Sequence, residues 1–190
     1  EGSYGGGAYV ANTESEIQVN NTKINENKAT KGSGGGIYSY GNITVLGDET
    51  NISNNIALTY GGGIMIKEEG KISGGTITQN KATQNAGGGV RVDGKLILEN
   101  ANITNNIANT TGGGIDWTSG ILIYKNGNIQ KNTAKNQEDD MYPIRTEEKE
   151  DWSKFDEWNI TPIGIRLEKK YKRNQDIANC SIQGMVTTDK

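Results

Sequence analysis

The sequence predicts an all-β fold, a parallel β-helix (solenoid) with three short strands per coil and a C-terminal cap. Three observations predict it. A glycine triplet followed by an apolar residue recurs five times, at Gly5-Gly6-Gly7-Ala8, Gly34-Gly35-Gly36-Ile37, Gly61-Gly62-Gly63-Ile64, Gly87-Gly88-Gly89-Val90 and Gly112-Gly113-Gly114-Ile115. The steps between triplets are 29, 27, 26 and 25 residues, a period at which supersecondary units stack on one another. A second phrase, Ile-x-x-Asn-x-Ala, keeps register with the first: Ile24, Ile52, Ile77, Ile103 and Ile129 are each followed by Asn27, Asn55, Asn80, Asn106 and Asn132, then by Ala29, Ala57, Ala82, Ala108 and Ala134.

The elements of one coil follow in order from Gly61. The triplet turns the chain, because glycine reaches positive φ without a steric penalty. Ile64-Met65-Ile66 alternates and reads as the first strand. Lys67-Glu68-Glu69-Gly70 reads as a polar turn, Lys71-Ile72-Ser73 as the second strand, Gly74-Gly75 as a turn and Thr76-Ile77-Thr78 as the third strand. Second strands of the other coils are Ile17-Gln18-Val19, Ile43-Thr44-Val45, Leu96-Ile97-Leu98 and Ile121-Leu122-Ile123. One asparagine per coil at a fixed place predicts a ladder of amides. Asparagine also tolerates the left-handed backbone that a sharp bend needs. The alanine that follows is small enough for a tight corner.

Composition alone points elsewhere. Ile, Val, Leu and Phe make 36 of 190 residues, just under the level below which chains tend to be disordered. Net charge is only −3, however, and disorder needs high charge as well as few apolar residues. The apolar residues are mostly β-branched Ile, which suits strands. Residues 1–143 are therefore expected to form the repeat domain, in about five to six coils, and 144–190 a separate extension.

In that extension Trp152, Phe155 and Trp158 lie three apart after an acidic run, which predicts a short helix. Ile163-Gly164-Ile165-Arg166-Leu167 alternates like a strand. A solenoid end exposes unpaired strand edges, so the extension is expected to cap the last coil; a docking surface is the rival reading. Lys169-Lys170-Tyr171-Lys172-Arg173 reads as solvated surface rather than a nucleic-acid patch, given the acidic balance.

No run of about 18 apolar residues is present, so no membrane-spanning helix and no direct membrane insertion are expected. The opening, Glu1-Gly2-Ser3-Tyr4, lacks signal-peptide character and reads as a mature product or a piece of a longer array. Cys180 stands alone, which excludes an internal disulfide framework. The chain has no histidine, and so lacks the commonest general base and metal ligand. The triplets are not followed by Gly-Lys-Ser/Thr, which excludes a phosphate loop. Asp116 and the pair Asp139 and Asp140 fall about one coil apart, as two opposed carboxylates for glycoside hydrolysis would need to be considered; an exposed polar column is the preferred reading. Calcium at Glu138, Asp139 and Asp140 lacks a loop of spaced oxygen ligands. No catalytic residue, cofactor or metal is expected, and the chain is not read as an enzyme.

The outward residues of the first strand form a column of Tyr9, Tyr38, Met65, Arg91 and Asp116. Tyrosines in a row can stack on sugars or anchor a protein, and four of these five residues are of types that suit an interface; ordinary strand surface is the preferred reading. Asn-x-Ser/Thr sequons stand at Asn20, Asn42, Asn51, Asn102, Asn109, Asn159 and Asn179.

The paired phrases Ile-x-x-Asn-x-Ala and Gly-Gly-Gly-Ile resemble the repeat of the chlamydial polymorphic outer membrane proteins over residues 1 to about 142. Asp139-Asp140-Met141-Tyr142 is similar to a phrase that closes such arrays. The resemblance implies a right-handed β-helix in an extracellular or cell-surface protein of adhesin type. The implied partners are a host or matrix protein or a glycan, with head-to-tail self-association through the solenoid ends as a further expectation and no nucleic acid. The alternative is a carbohydrate-binding or polysaccharide-degrading β-helix.

Overall fold

A computed structural model describes residues 1–117, 121–136, 141–142 and 158–160. Among them every regular element is a strand and none is a helix. The strands stack as a parallel β-solenoid of about five turns, in which each strand is hydrogen-bonded to its counterpart one coil away.

Four sheets run along the solenoid. The first stacks Ala8–Val10 (β1), Ile37–Ser39 (β5), Ile64–Ile66 (β9), Val90–Val92 (β13), Ile115–Asp116 (β17) and Met141–Tyr142 (β21). The second stacks Glu16–Asn20 (β2), Asn42–Leu46 (β6), Glu69–Ser73 (β10), Lys95–Glu99 (β14) and Ile121–Tyr124 (β18). The third holds Lys23–Asn25 (β3), Asn51–Ser53 (β7), Thr76–Thr78 (β11), Ala101–Thr104 (β15) and Gly127–Gln130 (β19). The fourth holds Lys28–Ala29 (β4), Ile56–Ala57 (β8), Lys81–Ala82 (β12), Ile107–Ala108 (β16) and Thr133–Ala134 (β20).

Where three strands per coil are expected, the alanine column thus adds a fourth ladder. Its strands are two residues long, too short for alternation to mark them. The polar turn expected at 67–70 is also shorter than that, since β10 begins at Glu69. Gly70 takes an inward place in β10 because the Ile66 side chain fills the space a Cβ would need, its Cδ1 lying 2.7 Å from that position.

The core consists of stacked files. Ile52, Ile77 and Ile103 pair in register through the third sheet, and Val45, Ile72, Leu98 and Tyr124 through the second. All are buried, and each such side chain stabilises the fold by roughly 1.5–3 kcal/mol. One coil alone cannot bury these residues, so the stacking supplies the stability.

The amides of Asn27, Asn55, Asn80, Asn106 and Asn132 hydrogen-bond in one continuous file. The Oδ1 of Asn80 accepts from the backbone N–H of Asn55 at 3.0 Å and from its Nδ2 at 2.9 Å. The Nδ2 of Asn80 donates to Asn106 Oδ1 at 3.0 Å and to the Ile52 carbonyl at 2.8 Å. The same pattern joins Asn106 to Asn132 and Asn27 to Asn55. The left-handed backbone lies one residue earlier than the ladder, however. Glu26, Asn54, Gln79, Asn105 and Lys131 carry φ of 56 to 60°, so the bend falls on the preceding residue and leaves the ladder asparagine free to point inward.

That ladder explains why the two sequence phrases travel together. Gly63 lies against the Asn80 amide, and Gly62 against the backbone of Lys81, so that a Cβ on Gly62 would lie 2.5 Å from the Lys81 nitrogen. The solenoid is so narrow at this corner that backbone packs on backbone.

Trp158–Ile160 forms a strand (β22) antiparallel to β18, with Leu122 opposite Ile160 and Tyr124 opposite Trp158. The helix expected through Trp152, Phe155 and Trp158 is corrected at its end: Trp158 is in a strand, because an open sheet edge offers its backbone hydrogen-bond partners. Trp152, Phe155, the strand at 163–167, the basic cluster at 169–173, Cys180, Asn179, and the acidic group Glu138, Asp139 and Asp140 lie outside the described residues.

Candidate functional site

The first sheet sets the five column residues in one file. Its register pairs Tyr9 with Tyr38, Tyr38 with Met65, Met65 with Arg91, and Arg91 with Asp116. Tyr142 takes the next register position beyond Asp116. Period-two alternation turns these residues away from the core, as Ile37, Ile64, Val90 and Ile115 beside them are core residues.

The file is more covered than an outward column is expected to be. Tyr9 is 51% exposed, but Tyr38 only 6% and Met65 only 4%, and Asp116 is fully buried. The physical reason is that neighbouring side chains fold over it. Tyr4, Tyr9 and Tyr40 surround Tyr38, with ring centroids 5.5, 5.5 and 5.1 Å away. Burial first, then a hydrogen bond with Tyr40, holds the Tyr38 phenol well above its ordinary pKa. The Arg91 guanidinium lies 5.0 Å from the centre of the Tyr60 ring, close enough for a cation–π attraction.

Farther along, charge replaces aromatic surface. Arg91 donates from Nε to Asp93 at 2.9 Å and from Nη1 to Asp116. Thr111 Oγ1 donates to the other oxygen of Asp116 at 2.7 Å. Lys67 Nζ pairs with Asp93 at 2.5 Å. Burial of Asp93 pushes its pKa up, but hydrogen bonds from Lys67 and Arg91, with their charges, outweigh that and leave it below the ordinary carboxylate value. Asp116 is thus held in place by a cation on one oxygen and a hydroxyl on the other.

Sequence reasoning missed Tyr4, Tyr40, Tyr60, Lys67, Asp93 and Thr111. Three of them had a signal. Tyr40, Lys67 and Asp93 each stand two residues after a column member, so the same alternation predicts a second outward file. Tyr4, Tyr60 and Thr111 lie just before the triplets, where no strand period places them. Of the sequon asparagines, Asn20, Asn42 and Asn102 are exposed, Asn51 and Asn109 are partly buried, and Asn159 lies in β22.

The fold and this face define a parallel β-solenoid with one aromatic and charged outer file. No protein family, curated protein or solved structure matches the chain significantly. Among the described residues no group of three or more acidic or thiol side chains is arranged to hold a metal ion.

Proposed function

We propose that the chain is a non-enzymatic, extracellular surface module whose first-sheet face docks a partner, in keeping with the adhesin-type repeat it resembles. The observation that carries this reading is the file itself. A rigid stack of hydrogen-bonded strands holds Tyr9, Tyr38, Met65, Arg91 and Asp116 in line, with Tyr4, Tyr40 and Tyr60 beside them. Exposed tyrosine and partly covered arginine on a preorganised scaffold are residues that dominate binding faces. Both oxygens of the buried Asp116 carboxylate are engaged by Arg91 and Thr111, which supports a positioning role for it in this face.

The finer architecture belongs to the same proposal. The solenoid winds right-handed, as nearly all crossovers between parallel strands of one sheet do. Residues 144–190 cap its last coil; the antiparallel seating of β22 on β18 supports this, since it occupies an edge that another parallel strand would need. Head-to-tail self-association remains the structural rival for the ends, and a polysaccharide-degrading enzyme the rival for the face.

The test is adhesion of the labelled chain to matrix-coated and cell-coated surfaces, alongside an assay for reducing ends released from a polysaccharide panel. Adhesion that drops in Arg91→Ala or in a Tyr9→Ala/Tyr40→Ala variant, with no reducing ends released, is the expected result. Release of reducing ends that stops in Asp116→Asn would replace the reading with the enzyme. Adhesion indifferent to all these variants would remove the face from the account.

A further inference from the structure

One surface of the chain is aromatic without being core. Tyr4, Tyr9 and Tyr40 are 49, 51 and 38% exposed, and they enclose Tyr38. Tyr9 also meets Tyr40 edge-on at 6.5 Å. The four rings thus form one continuous patch at one end of the file. Outward positions of the third sheet hold Lys23, Asn51, Thr76 and Asn102 instead, so the fold does not itself require aromatic residues on an outer face.

The rings are set in place. Tyr4 lies over Gly32, where an added Cβ would run into its ring. Tyr40 follows Ser39, whose hydroxyl donates to the Gly41 carbonyl at 2.7 Å. The Asn12–Ser15 turn, closed by a hydrogen bond from Ser15 Oγ to Asn12 Oδ1, packs its carbonyls against Gly41. Rings that already hold one another lose little rotamer freedom when a ligand arrives.

We propose that this patch is a docking site for a neutral saccharide chain, with Tyr9 and Tyr40 stacking on sugar rings, Tyr4 at the flank and Tyr38 as the buried support. The proposal rests on reading the first-sheet face as the binding face. A pyranose has an apolar C–H face and a rim of hydroxyls. Tyrosine matches both, with an apolar ring face and a phenol at its edge, whereas a purely apolar partner would be matched by aliphatic side chains. The adjoining cations do not select for an acidic ligand, because Lys67 is paired with Asp93, and Arg91 with Asp93 and Asp116.

The experiment titrates the full chain with short neutral oligosaccharides of glucose, mannose and N-acetylglucosamine, read by calorimetry and by saturation-transfer NMR. Tyr9→Ala and Tyr40→Ala are each expected to weaken binding about tenfold, while Tyr9→Phe keeps most of the affinity. Unchanged circular dichroism and melting separate these effects from misfolding. Absence of binding by every oligosaccharide, or affinity unchanged in the Tyr9→Ala/Tyr40→Ala variant, overturns the proposal. So does concentration-dependent association abolished by the same variant, which would make a second copy the occupant. Adhesion that needs these tyrosines yet survives periodate treatment of the coated surface overturns the saccharide alone and leaves the binding face standing. Absence of both kinds of binding in the unsubstituted chain removes the two together.

Discussion

The side chain of Asn80 makes four hydrogen bonds, two donated and two accepted, to three residues on the coils above and below. Truncating it takes the Asn80 partner from the Asn55 N–H and the Ile52 carbonyl and leaves the Asn55 amide with only the Ile24 carbonyl to donate to, all in a buried setting. Asn80→Ala should therefore cost about 3 kcal/mol. Asn80→Asp sharpens the argument. A carboxylate keeps the bonds from Asn55 but faces Asn106 Oδ1 and the Ile52 carbonyl with no proton to give. Its folded-state pKa is then raised above the ordinary aspartate value of about 3.9. A raised acid pKa penalises the fold as pH climbs past the unfolded value. Urea melts of Asn80→Asp should show a smaller deficit at pH 4 than at pH 7; equal deficits would refute the account of the ladder. The alkaline limb rests on Tyr124, whose phenol donates to the Gly127 carbonyl at 2.9 Å and is raised by burial to about 12. Its contribution is complete below the ordinary tyrosine value of about 10 and is lost as pH rises to about 12. Tyr124→Phe should flatten part of the stability loss between those values, with Tyr38 keeping the remainder. A loss as steep as in the parent chain would exclude Tyr124 as its source.

At the scale of the strand and turn, the corner between the fourth and first sheets is the least forgiving element. A Cβ added at Gly62 would run into the Gly88 carbonyl oxygen and lie 2.5 Å from the Lys81 backbone. Backbone on both sides leaves nothing to rotate away, so Gly62→Ala should destabilise by about 3 kcal/mol, at the high end for overpacking. Gly70→Ala provides the contrast, since its nearest neighbour is the Ile66 methyl at 2.7 Å, which can repack for roughly 1 kcal/mol. Denaturant midpoints that do not separate the two variants would show that crowding at the corner is not what fixes the triplet. The triplets, the first three strands of each coil and the asparagine file were legible because each obeys a period, of two along the strand or of one coil along the chain. The fourth sheet was not, because two residues carry no alternation. The closing of the outer file was not legible either. Tyr38 and Asp116 are covered by Tyr4, Tyr40, Arg91 and Thr111, and that contact depends on how turns and neighbouring coils lean across a face. The left-handed residue was misplaced by one because glutamate, glutamine and lysine stand there alongside asparagine, and composition gives no cue.

At the scale of the whole molecule, each coil is hydrogen-bonded to its neighbours, and the same registers recur along the stack. Stability is then close to a sum over coils and interfaces, which makes the molecule divisible at coil boundaries. Deleting residues 61–86 removes one step of 26 residues and brings equivalent positions together. Ile52 would meet Ile103 in the core file, Asn55 would meet Asn106 in the ladder, and Ala57 would meet Ala108 at the corner. On the outer face Tyr38 would stand beside Arg91, with Met65 gone. Gly47 and Asp48, which pack against Gly74 and Gly75 in the parent chain, would face Asn100 and Ala101 instead, so the turn between the second and third sheets is where the graft is least matched. The shortened chain should fold cooperatively and lose roughly a fifth of its urea m-value, which scales with the surface exposed on unfolding. It should also keep the four-tyrosine patch, and with it any saccharide affinity, because Tyr4, Tyr9, Tyr38 and Tyr40 all precede the cut. A chain that fails to fold would show that the stack depends on features of its individual coils. A folded chain that loses affinity would extend the binding face from the tyrosine patch to Met65 and the Lys67–Asp93 pair beyond it.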